Sequence, residues 1–165
     1  MEILKLNFKD DGIIPNSSLP VIVYIAALSK NECSAKDFTS LFEKNNWQNS
    51  WTNGVYTYHH YHSIAHEVLG ISQGKATLQL GGENGSKVPV SAGDVIILPA
   101  GTGHKKVDSS ADFEVVGAYP DGMDFDLRIG KESDRPEADR NIEKVPRPQT
   151  DPVFGSTGGI IDYWK

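Results

Sequence analysis

The sequence predicts an all-β domain, a sandwich or barrel of short antiparallel strands. Two observations carry this. From Gly54 to Tyr119, short apolar segments alternate with turns marked by glycine or proline. Only the stretch near Ser34 to Trp47 shows a convincing helical apolar stripe. A chain of 165 residues has the length of one domain and can bury a core of its own. Residues 1–165 are therefore read as a single domain, with a core over about 20–120 and a wrapping segment over 121–165.

Met1 to Phe8 alternates apolar and polar residues and reads as an edge strand. Asp10 to Leu19 is rich in turn residues and reads as a connection. Val21 to Leu28 follows Pro20, is rich in β-branched residues and reads as a buried strand. The helix is expected from about Ser34 to Trp47. Ser34 is its N-cap, Asp37 the reciprocal partner, and Ala35, Phe38, Leu41 and Phe42 its apolar stripe. Strands follow at Val55–His62, Glu67–Ser72, Lys75–Leu80, Val88–Val90, Asp94–Leu98, His104–Val107 and Phe113–Ala118, with Gly81-Gly82 and Asn84-Gly85 marking a hairpin turn. Beyond Asp121 the texture changes. Pro136, Pro146, Pro148 and Pro152 punctuate it, a short helix is expected from about Arg135 to Lys144, and the rest reads as extended. Phe154, Ile160, Ile161, Tyr163 and Trp164 give that stretch anchors for wrapping the core, covering a pocket mouth or crossing to a partner.

The formal net charge of −6 and the scatter of the basic residues argue against a nucleic-acid partner. The longest apolar run, Val21 to Leu28, is too short to cross a bilayer, so no membrane role is read. Met1 to Phe8 lacks the pattern of a targeting segment, and cytoplasm is the expected location. The lone Cys33 excludes an internal disulfide and fits a reducing compartment; it reads as an inert, small buried or half-buried residue.

The most specific signal is a spacing. One string runs from Gly54 through His60, His62 and Glu67 to Gly74; a second runs from Gly93 through Pro99 and Gly101 to His104. Imidazole nitrogens with one carboxylate oxygen suit Fe(II), Mn(II), Ni(II), Cu(II) or Zn(II). On a strand, His60 and His62 face the same way, with Tyr56 and Tyr58 beside them, while Thr57, His59 and Tyr61 face the other way. Glu67 lies five residues past His62, an odd offset that points it away unless a turn or bulge resets the register. His66 has the right parity without such a break, so spacing alone leaves the fourth ligand open between Glu67 and His66. A phenol of Tyr56 or Tyr58 can serve a substrate as hydrogen-bond donor or acid, and Tyr58 is taken as a candidate catalytic residue. Lys106 shares a face with His104 and is the second candidate, as a cation for a substrate carboxylate or phosphate.

Both strings, in order and joined by a short connection, resemble the paired motifs of the cupin superfamily. The run His60-Tyr61-His62-Ser63-Ile64-Ala65-His66-Glu67-Val68-Leu69-Gly70 further resembles the small bacterial cupins of the YjlB type. One position departs: where the family often has Asn, four residues after the last His, this chain has Asp108. The resemblance implies a jelly-roll barrel (double-stranded β-helix) with one or two flanking helices and one divalent transition metal, Fe, Mn, Ni or Zn, inside. It also implies His60, His62, Glu67 and His104 as the metal ligands. Such a mononuclear site has open positions for a small-molecule substrate, so a dioxygenase or a Lewis-acid isomerase or lyase is expected; the alternative is a non-catalytic small-molecule or metal-binding module. A homodimer through Met1 to Phe8 or Ile160 to Trp164 is the expected assembly.

Overall fold

Central strands that are apolar on both sides decide the architecture. The computed structural model describes residues 1–165. In it Glu2–Leu6 (β1), Val21–Ile25 (β2), Trp47–Asn53 (β3), Glu67–Gln73 (β4), Lys75–Leu80 (β5), Ser86–Ser91 (β6), Val95–Leu98 (β7), His104–Ser109 (β8) and Glu114–Pro120 (β9) are the strands. They form a six-stranded antiparallel sheet, β1-β2-β7-β4-β9-β3, and a three-stranded one, β6-β5-β8. The expected jelly roll is thus two sheets, not a closed cylinder.

Val21, Val23, Leu69, Ile71, Ile96 and Val115 of the large sheet pack on Leu78, Leu80, Val88 and Val90 of the small one. The intervening residues Ile22, Tyr24, Val68, Val95, Ile97 and Val116 face the opposite way, onto a second apolar layer. That layer is completed by the helix Ala35–Lys44 (α1) and by the end of the chain. Burial on both faces is why these strands read as unbroken apolar runs.

The helix starts as expected, with Asp37 N–H donating to Ser34 Oγ and Ser34 N–H to Asp37 Oδ2. Phe38 and Phe42 are fully buried. Phe38 lies so close over β4 that a Cβ on Gly70 would sit 2.6 Å from its ring. Cys33 is buried beneath this helix start, and burial pushes its thiol pKa up. The helix ends at Lys44, earlier than expected, because Asn46 takes a left-handed φ of 63°, which asparagine tolerates. Trp47 therefore opens a strand. The strand expected at Val55–His62 does not form: it lies at Trp47–Asn53, and the chain from Gly54 to His66 carries only the isolated pairs His60–His104 and Tyr61–Arg128.

Residues 121–165 follow β9, and Val153, Ile160 and Trp164 among them join the outer apolar layer of the large sheet. The segment includes the helices Glu137–Lys144 (α2) and Ile160–Tyr163 (α3). Ile160 to Trp164, expected to be extended, is a helical turn with Ile160 and Trp164 buried against the chain's own core. Asp151, fully buried, explains this. Its carboxylate accepts from Tyr24 Oη at 2.5 Å and from the backbone N–H groups of Val153, Phe154 and Ile160 at 2.7, 2.9 and 3.0 Å. The indoles of Trp47 and Trp164 tie the segment down by donating to Thr150 O and Pro20 O. No helix is long and apolar enough to cross a membrane.

Three substitutions test these contacts. Tyr24→Phe removes one donor from Asp151 and should cost about 1–3 kcal/mol in chemical denaturation; Asp151→Ala strands three backbone N–H groups besides and should cost more, with faster amide exchange across residues 151–164. A wild-type midpoint for Asp151→Ala would show that the wrap is held elsewhere. Gly70→Ala should push Phe38 off β4 at a cost of about 1–3 kcal/mol.

Candidate metal centre

Two backbone hydrogen bonds assemble the site. His60 N–H donates to His104 O at 3.2 Å and His104 N–H to His60 O at 2.9 Å, setting the two residues opposite each other. His104 opens β8, which pairs with β5, so the small sheet fixes its position. His62, two residues on, lies on the same side as His60, while the intervening Tyr61 is buried with Ile14 and Ala138. The chain then bends at Ser63-Ile64, where Ser63 N–H donates to Asp126 Oδ1 at 2.6 Å. That bend resets the strand parity, and Glu67, as first residue of β4, turns toward the imidazoles.

His60, His62 and His104 each bring one ring nitrogen within 4.8 Å of the others, and all three are buried. Glu67, 2% exposed, holds Oε2 3.3 Å from His62 Nε2 and Oε1 3.4 Å from His104 Nε2. The other nitrogen of each ring is committed to a backbone carbonyl: His60 Nδ1 to Tyr58 O at 3.1 Å, His62 Nδ1 to Asp126 O at 2.5 Å and His104 Nδ1 to Thr102 O at 3.0 Å. A carbonyl only accepts, so each Nδ1 carries a proton and donates it. The Nε2 atoms are what remain for the interior. Orienting an imidazole through a carbonyl on its far nitrogen is how proteins prepare it to bind a cation, and this donor set fits a divalent transition ion.

The three rings and the carboxylate differ electrostatically. Burial, reinforced by the neighbouring His104, depresses the His60 pKa to about 3, so its Nε2 lone pair is available. Burial also opposes charge on His62, but the Glu67 carboxylate and the Asp126 carbonyl prevail and raise it to about 9. Burial would raise Glu67, yet His62 and His104 outweigh it and hold the carboxyl well below its usual range. The buried carboxylate is thus balanced by its imidazole neighbours.

His66 faces elsewhere. Its Nδ1 accepts from Ala100 N–H at 2.9 Å, its Nε2 donates to Pro146 O at 3.2 Å, and its ring packs on Trp164. Burial depresses its pKa to about 4, consistent with a neutral ring bonded at both nitrogens. His59 lies at the surface against Glu83.

The site opens into a cavity of about 500 Å³ whose wall includes Trp51, Tyr56, Leu69, Tyr119, Phe125 and Leu127. Tyr56 is on that wall; Tyr58 and Lys106 are not. Tyr58 stacks on Tyr56 and is 43% exposed, because the segment they occupy is a loop whose side chains do not alternate as a strand's would. Lys106 lies two residues beyond His104 on β8, where its N–H donates to Tyr56 O. Sequence reasoning missed Trp51, Tyr119, Phe125, Leu127 and Asp126. Tyr119 had a signal: it continues the inward alternation of Val115 and Gly117 on β9 by one more step. Trp51 had none, since a bulge between Gln48 and Trp51 swings it from the outer layer of Trp47 to the cavity.

No family model matches the chain. Among solved structures it is similar to a double-stranded β-helix protein from Klebsiella pneumoniae subsp. pneumoniae (16% identity, 72% of this chain and 81% of that one, TM-score 0.40). It is also similar to a DUF861 family protein from Thermotoga maritima (20%, 60% and 96%, TM-score 0.35). Acireductone dioxygenase from Bacillus anthracis, with cadmium in its active centre, is a third such neighbour (17%, 54% and 59%, TM-score 0.37). These are distant, partial likenesses. The uncharacterized protein YjlB of Bacillus subtilis (strain 168) is 42% identical over 158 residues, covering 95% of this chain and 93% of that relative. With that identity along nearly its whole length, and the two motif strings in place on a jelly roll, the chain belongs to the YjlB family of small cupins.

Proposed function

We propose that the chain binds one divalent transition metal through His60, His62, His104 and Glu67 and acts on a small molecule in the adjoining cavity. The observation that carries this reading is the commitment of all three Nδ1 atoms to backbone carbonyls, with Glu67 facing the inward nitrogens. A divalent ion there supplies either O2 chemistry, as Fe(II), or Lewis-acid polarisation of a carbonyl or enediol, as Mn(II), Ni(II) or Zn(II). The protein's own part is to hold the four side chains, to keep Glu67 ionised and to surround a bound molecule with Trp51, Phe125 and Leu127. Depending on the ion, the activity is that of a dioxygenase or of an isomerase or lyase.

A second reading, capture without turnover, draws on the composition of the wall. Beyond the four site residues its only titratable groups are the phenols of Tyr56 and Tyr119, so no independent acid/base pair stands ready. We also propose a homodimer formed along the free outer edge of β1. A monomer in light scattering at tens of micromolar, a range of typical interface affinities, would count against that assembly.

Metal content tests the site directly. Wild-type protein should bind one divalent ion per chain, and the His60→Ala, His62→Ala double variant should lose it; full occupancy in that variant would end the assignment. Glu67→Gln should weaken binding by at least about tenfold. His66→Gln should leave binding intact while costing about 1–3 kcal/mol of stability through its lost backbone partners.

Turnover tests the chemistry. The Fe(II)-loaded protein, offered an enediol, diketone or thiol, should consume O2 where the Zn(II)-loaded protein does not, if the activity is a dioxygenase. Equal O2-independent turnover with several divalent ions assigns a Lewis-acid isomerase or lyase. A ligand that raises the melting temperature with no turnover in any metal form assigns the binding module.

A further inference from the structure

Glu67 has a partner outside the imidazole set. Tyr119 Oη donates to Glu67 Oε2 at 2.7 Å, and Trp51 Nε1 donates to Tyr119 Oη at 2.8 Å. The direction of both bonds is forced. An indole N–H can only donate, so the phenol oxygen accepts from Trp51. The phenol has one proton, and it goes to the carboxylate. Both rings are held in place. Tyr119 is fully buried and stacks on Phe125, with centroids 4.6 Å apart and planes at 15°. Trp51 lies flat over β9 at Gly117, where a Cβ would sit 2.3 Å from the indole. The relay thus joins the cavity wall to the carboxylate between His62 and His104.

We propose that Tyr119 is a positioning residue that, backed by Trp51, fixes the orientation of the Glu67 carboxylate for the metal. This rests on the metal-binding reading above. Oε2 is taken by the phenol proton, so the carboxylate cannot swing freely about its terminal bond and meets the ion already oriented. A bound ligand orientated by such an outer partner typically loses ten- to hundredfold in metal affinity when that partner is removed.

The test is Tyr119→Phe, which keeps the ring and its stacking and deletes only the hydroxyl. The dissociation constant for Zn(II), from competition with a chromophoric chelator, should rise by about tenfold to a hundredfold, and the visible bands of the Co(II)-loaded protein should move. Trp51→Phe, which leaves the phenol on Glu67, should weaken Zn(II) binding in the same direction by less. Wild-type affinity and an unchanged Co(II) spectrum in Tyr119→Phe would overturn the proposal. Should that variant fail to fold, the wild-type indole N–H resonances decide. The Trp51 signal should shift on adding Zn(II) while that of Trp47, bonded to Thr150 O, stays put; a Trp51 signal that moves no more than that of Trp47 would overturn it. Absence of Zn(II) binding by the wild-type protein would instead overturn the metal-binding reading, and this inference with it.

Discussion

A carboxylate buried at 2% exposure inside an apolar sandwich must be compensated, and much of the site is that compensation. Taking an ionised group out of water costs several kcal/mol unless charges and donors replace the lost hydration. Glu67 is given His62 and His104 at 3.3 and 3.4 Å and the phenol of Tyr119 at 2.7 Å. Those partners come from three separate places: the loop after β3, the start of β8 and the end of β9. The site can therefore exist only when both sheets and the loop have come together. His60 adds a neutral nitrogen on the side that Glu67 does not reach, and its burial keeps it neutral.

The scaffold supports this by covering the large sheet twice. Its inner face meets the small sheet and the cavity; its outer face meets α1 and the C-terminal wrap. The wrap is more than a cover for apolar surface. Before reaching the outer face it passes the site, where the Asp126 backbone carbonyl takes the His62 Nδ1 proton and its carboxylate takes Ser63 N–H at the register-resetting bend. Phe125 and Leu127, on either side of Asp126, contribute to the cavity wall. Further on, Pro146 and Trp164 occupy His66. One segment thus orients a candidate ligand, stabilises the bend that brings in another and engages the competing histidine.

The charge balance of the cavity bears on what it can hold. No lysine or arginine is on the wall, and its one carboxylate is enclosed by the imidazoles. Trp51, Leu69, Phe125 and Leu127 give a bound molecule apolar contact surface, beside the polar side chains of Asn49, Ser50, Thr52 and Asn53.

Sequence alone determined the elements whose signals are local. The capping box at Ser34 and Asp37, the hairpin turn after β5 and the β-branched start of β2 depend on neighbours within a few positions, and each forms where it was read, though β2 stops at Ile25. Tertiary structure decided what depends on distant partners. Parity along a regular strand favoured His66 facing the other histidines, but Asp126, sixty-three residues from Ser63, stabilises the bend that turns Glu67 inward instead. Tyr58 and Lys106 were drawn toward the site by the same parity, yet Tyr58 lies on a loop, from Gly54 to His66, that does not follow strand alternation, and Lys106, although it shares β8 with His104, is not on the cavity wall either. Trp51 was beyond reach because a bulge changes which face a residue occupies without changing its place in the pattern. Periodicity reports the side a residue takes while its strand stays regular, and in this protein the site is built where the strands bend, bulge or end.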